Sequence, residues 1–177
     1  MIEHQVSAGQ SHRAAKSPAQ REHRTLSAAR QAFVAAIARD TPGTDRPRLV
    51  QVLDVLIAWS AARPAALAFG TTAQRGDVFA FVLVGTGAVF WSAQAVRGAG
   101  PALELHVPAG RPRRAADRAT IMATLNAHSR EVLAEGDRLR IGFGALKNAA
   151  ASTAVLALLQ QLLVIGGPPA APGGVVT

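Results

Sequence analysis

Apolar residues recur along this chain with two different periods, and the switches between them divide it into helices, a run of strands, and helices again. Leu26, Phe33, Val34 and Ile37 fall on one face at helical spacing over residues 26–40, and Thr41-Pro42-Gly43 ends the run. A second helix is predicted over residues 46–62, capped by Thr44 or Asp45. Its Leu49, Val50, Val52, Leu53, Val55, Leu56, Ile57 and Trp59 cover most of the circumference, leaving Gln51, Asp54 and Ala58 a narrow strip. A helix that apolar belongs at the centre, covered on several sides.

Period two follows. ALAFGTT comes after Pro64, and DVFAFVLV is apolar on both faces, as an interior strand is. Gly85-Thr86-Gly87 turns it into AVFWSAQAV, and Arg97-Gly98-Ala99-Gly100-Pro101 turns again into ALELHV. There Leu103, Leu105 and Val107 point inward while Glu104 and His106 point outward. The pattern predicts a four-stranded antiparallel meander. Ala119, Met122, Leu125, Val132 and Leu133 then stripe a third helix over 112–135. A strand over 138–143 turns Leu139, Ile141 and Phe143 inward and Arg138 and Arg140 outward, and a last helix spans about 148–165. That helix is apolar over about half its circle, but Gln160 and Gln161 in mid-span and its short length argue for a docked core helix rather than a membrane span.

Composition changes this picture at the ends. Residues 1–25 are polar, carry Arg, His and Ser without periodicity, and read as a disordered basic arm. Residues 166–177, rich in Gly and Pro, read as a flexible tail, which leaves 26–165 as one domain. The first residues hold no apolar run, so they do not form a secretory signal. With no cysteine there is no disulfide framework and no thiolate chemistry, which fits a cytoplasmic location. The net charge is +8, and only Lys16 and Lys147 of the 19 basic residues are lysine. Such a surplus suits a nucleic acid or an acidic protein. With 5% aromatic residues and no tyrosine, a stacking platform for single strands is disfavoured.

Three places carry candidate chemistry. GFGALKN joins a strand to a helix. Amides at the helix start with Lys147 would hold an anion, although the full phosphate-loop spacing is missing and no Ser or Thr follows the lysine. The structural alternative is that Gly142 or Gly144 permits a turn, Leu146 packs and Asn148 caps the helix. In GRPRRAADR, Arg111, Arg113, Arg114 and Arg118 gather at the start of the third helix. Cations there oppose the helix dipole; Asp117 offsets one of them and an incoming phosphate would offset several, the plain alternative being a solvated arginine face. This layout resembles the start of the second helix of double-stranded RNA-binding domains, a family with three strands before that helix where four are read here. In the third place, Glu104, His106, Arg138 and Arg140 form an exposed row. Its bland reading is an ion pair across the sheet, and its sharp reading, with Asp77, is a metal site. Separately, Asn126 and His128 would form a polar cluster facing a pocket at the edge of the third helix, the alternative being that Asn126 is a buried, hydrogen-bonded residue that fixes packing.

No serine elbow, HExxH or dinucleotide fingerprint is present, and no cofactor is expected. The expected architecture is α+β: two N-terminal helices, a mostly antiparallel sheet of four to five strands, and two C-terminal helices flanking the last strand. The function expected first is a non-catalytic binding or assembly module that contacts a polyanion, with no membrane. Its anion-binding residues would be Arg111, Arg113, Arg114, Arg118 and Lys147. The alternatives are a protein–protein or immunity-type accessory subunit, and a small hydrolase-like enzyme with an acid/base site at His106 or His128.

Overall fold

The computed structural model describes residues 18–70, 77–106, 112–129 and 132–166, and only the backbone at 18–24, 112–117, 135, 165 and 166. Two helices come first, α1 (Pro18–Asp40) and α2 (Arg46–Ala61). Strands β1 (Leu67–Phe69), β2 (Val78–Leu83), β3 (Val89–Val96) and β4 (Gly100–His106) follow. Helix α3 (Pro112–Asn126) leads to β5 (Leu133–Glu135) and β6 (Arg138–Gly142), and the chain ends in a short α4 (Phe143–Leu146) and α5 (Ala149–Gly166). The sheet has six strands in the order β1-β2-β3-β4-β6-β5, every neighbouring pair antiparallel. The fold is α+β, as the periodicities predict.

The core lies between the sheet and the helices. Trp91 of β3 stacks on Phe81 at 5.3 Å and on Phe79 at 6.1 Å, and Phe33 of α1 meets Phe79 edge-on at 6.4 Å. The Trp91 indole N–H donates to the buried Ser60 hydroxyl of α2 at 2.9 Å, so the polar atom of the largest core side chain is satisfied. Helix α2 buries Leu49, Val52, Leu53, Leu56 and Ser60 and packs against α1, α4, α5 and β1, the central position its composition predicts. The Arg30 guanidinium bridges α1 to α2 with two hydrogen bonds to Asp54, at 2.6 and 2.7 Å. Among the described residues no helix is long and apolar enough to cross a membrane.

Several elements depart from expectation, among them the strand expected over 138–143, which ends at Gly142 so that Phe143 opens the short helix α4. Helix α1 starts at Pro18, eight residues earlier than predicted and inside the segment read as an arm; residues 1–17, and 167–177 of the tail, lie outside the described residues. The third helix ends at Asn126 instead of continuing to 135, and Leu133–Glu135 form a sixth strand. A two-residue loop, Gly136-Asp137, joins this strand to β6, with Glu135 opposite Arg138 and Gly136 at φ +53°. In β3, Val82 pairs with Val89 while Phe81 pairs with Trp91, so Phe90 is the extra residue of a β-bulge. The bulge turns two consecutive aromatics toward α2: Trp91 reaches Ser60, and Phe90 stacks on Trp59 at 6.4 Å. Finally, Glu104 is only 7% exposed, against the outward, solvated position that strand alternation assigns it.

Candidate functional site

Helix α3 begins at Pro112, so Arg113 and Arg114 occupy its first turn, and that turn holds no acidic residue. Proline suits this position because its missing N–H would be unpaired there in any case. Arg118 is half-buried and already has an interaction partner, whereas Arg111 lies outside the described residues. Among the described residues four strands precede α3, one more than in the double-stranded RNA-binding arrangement.

The strand register builds a second charged region on the sheet face opposite the aromatic core. Glu104 pairs in register with Arg140 and His106 with Arg138. The Glu104 carboxylate accepts a hydrogen bond from the Gln94 amide at 2.9 Å, and Arg138 Nη1 stands 3.9 Å from the same oxygen. Gln94 and Arg138 thus flank Glu104 from the two neighbouring strands, which is why a residue facing away from the core is nonetheless buried. Arg140 makes no ion pair among the described residues. His106 is half-buried, and burial together with the Arg138 charge holds its pKa below the ordinary histidine value, against the opposing pull of Glu104 and Asp137. Asp77 is exposed at the residue before β2, with β3 between it and β4, so the row does not close around a metal. The cross-sheet ion pair is what the structure contains.

Lys147 belongs to a third place. A pocket of about 310 Å³ is lined by Thr41 and Asp45 of the α1–α2 loop, Leu49 of α2, the β3–β4 turn, Ser129, Gly142, Gly144, Ala145 and Lys147. Across it Lys147 Nζ donates to Asp45 Oδ1 at 3.1 Å. Asp45 stands at the N-cap of α2 but makes no side-chain cap bond; its carboxylate is turned toward Lys147 instead. At the other end of the stretch, Asn148 caps α5 as expected, accepting from the Ala150 amide at 2.8 Å, and Leu146 is buried.

The glycines of this stretch do not serve the turn assigned to them. Neither Gly142, at φ −64°, nor Gly144 has a positive φ, and a Cβ added at either meets nothing within 4 Å. Glycine within a helix or strand is destabilising by roughly 0.5–1 kcal/mol relative to alanine. Here neither backbone conformation nor close packing requires it; both glycines are in the pocket lining. Asn126 and His128 do not line this pocket: Asn126 is exposed at the end of α3, and His128 is half-buried in the following turn. Ser129, in the same LNAHSR stretch, does line it. Sequence reasoning missed Thr41 and Asp45, because a helix-stop and a helix-cap account for both locally.

Comparison with protein-family models, with curated proteins and with solved structures gives no match.

Proposed function

We propose that this domain is a non-catalytic binding module whose partner is a polyanion, a nucleic acid before an acidic protein. The contacts are the basic residues near the N-terminus and the arginines at positions 111, 113, 114 and 118. The observation that carries this reading is the first turn of α3, which places Arg113 and Arg114 after Pro112 and contains no acidic residue of its own. Cations at a helix start are unfavourable by about 0.3–1 kcal/mol each until an anion joins them. A phosphate backbone supplies that anion, and the net charge of +8 draws it from a distance.

Fluorescence anisotropy with labelled duplex RNA, duplex DNA and single strands over a salt series tests the proposal. Affinity is expected to fall steeply as salt rises. Replacing Arg111, Arg113 and Arg114 together with alanine is expected to weaken binding and to flatten the salt slope by about one unit per lost phosphate contact, with the fold unchanged. A full-length chain that binds none of these probes at low salt overturns the nucleic-acid reading, and unchanged binding by the triple variant removes the arginine cluster from it.

A further inference from the structure

The pocket beside α4 has features that the polyanion reading does not use. Its two charged groups, Asp45 and Lys147, have opposite signs and touch each other through one hydrogen bond, between Nζ and Oδ1. An ammonium has three donors and a carboxylate two accepting oxygens. That single bond leaves two Lys147 hydrogens and Asp45 Oδ2 for other partners. The Asp45 and Lys147 side chains are 45% and 28% exposed, so a molecule in the pocket reaches both. Thr41 also lines the pocket, and Leu49, Ala99, Pro101 and Ala145 supply the apolar part of the lining.

A pocket that presents a cation next to an anion discriminates against simple ions. A lone phosphate or carboxylate drawn to Lys147 meets Asp45, and a lone amine drawn to Asp45 meets Lys147. A molecule carrying both charges a short distance apart satisfies the two at once. We infer that this pocket binds a small zwitterion of α-amino acid type, its ammonium on Asp45 Oδ2, its carboxylate on Lys147 Nζ, and a short apolar side chain against Leu49 and Pro101. The volume of about 310 Å³ lies at the small end of ligand sites and matches a molecule of that size. Gly142 and Gly144 also line the pocket, and a Cβ at either meets nothing within 4 Å, so neither strain nor packing accounts for a missing side chain there. The orientation of Asp45 agrees, since its carboxylate faces Lys147 rather than capping α2.

The test is NMR titration of the ¹⁵N-labelled full-length protein with each protein amino acid at millimolar concentration. For any that binds, its N-acetyl derivative, which lacks the ammonium, and its methyl ester, which lacks the carboxylate, are titrated as well. The expected result is a saturable shift of the Gly142, Gly144 and Lys147 amides with an amino acid, lost with both singly charged relatives. Gly144→Leu fills the space at an exposed helical position where an added Cβ touches nothing, so it is expected to abolish the shifts with Tm unchanged or raised. Lys147→Gln, at a partly exposed position, provides a second variant and is expected to weaken binding about tenfold, the loss of one charge-assisted hydrogen bond. No saturable shift with any amino acid overturns the inference. Equal binding of an N-acetyl derivative or an ester overturns the zwitterion assignment, and shifts that persist in Gly144→Leu move the ligand out of this pocket.

Discussion

His106 shows how one side chain inherits its chemistry from two strands and the turn between a hairpin's arms. Its neighbours are Glu104 on its own strand, Arg138 directly opposite on β6, and Asp137 in the turn before Arg138. Burial disfavours the imidazolium first and the Arg138 charge second, so the folded-state pKa lies below the unfolded value of 6.5. The unfolded chain therefore binds the proton more readily, and this site removes stability as pH falls through 6.5 toward the folded pKa, with no effect above 6.5. Arg138→Ala is expected to raise the His106 pKa, and Glu104→Gln to lower it further, both read from the imidazole C2 proton in a pH titration. A wild-type His106 that titrates at or above 6.5 contradicts this account of the site. Strand alternation reveals the placement of Glu104 and His106 on one face, because that depends only on period two. The burial of Glu104 is not legible in the same way, because it depends on which strands lie beside β4, and one of them, β6, arrives only after α3.

Among the elements, the hairpin β5–β6 marks where reading by periodicity fails and reading by turn chemistry succeeds. Val132 and Leu133 continue the helical stripe of α3 by spacing alone, so a helix to 135 is what the apolar pattern predicts. Gly136-Asp137 between LAE and RLRIG is also a two-residue hairpin signal, and the structure uses it, with Gly136 at φ +53°. In that conformation a Cβ crowds the following carbonyl at a cost of about 1–2 kcal/mol, although nothing else lies within 4 Å of the site. Gly136→Ala is therefore expected to destabilise the domain by about that amount in urea denaturation, and Gly136→Asn by less, since Asn visits this region more readily. An alanine variant as stable as wild type would mean the loop adopts another conformation. The bulge at Phe90 was hidden for a related reason: AVFWSAQAV reads as one regular strand, and only pairing with β2 reveals the extra residue. The pocket was half legible. GFGALKN marks one wall, but Asp45 and Thr41 reach it from a loop about a hundred positions earlier, and only the packing of α2 against α4 joins the two.

For the whole molecule, the layered arrangement follows from features that local pattern carries well: an α2 that is apolar around most of its circumference, a β2 apolar on both faces, and an apolar α5. Charge acts on this fold and on its proposed binding in opposite directions, which gives a measurement that separates the two. A net charge of +8 repels itself most in the compact state. The screening length shrinks from about 30 Å at 0.01 M salt to about 8 Å at 0.15 M, so added salt relieves that repulsion across the surface. The described ion pairs, which salt weakens, oppose this only slightly, because Arg30–Asp54, Arg138–Glu104 and Lys147–Asp45 each have at least one partner well exposed to water. Tm is therefore expected to rise over this range, by ~2–4 °C if the relief is about 1 kcal/mol. Polyanion affinity is expected to fall over the same range. The opposite signs matter because weaker binding at high salt would otherwise be open to explanation by unfolding. Thermal denaturation and anisotropy in one set of buffers supply both slopes, and a Tm that declines with salt would mean that local ion pairs, not the net charge, govern the stability of this domain.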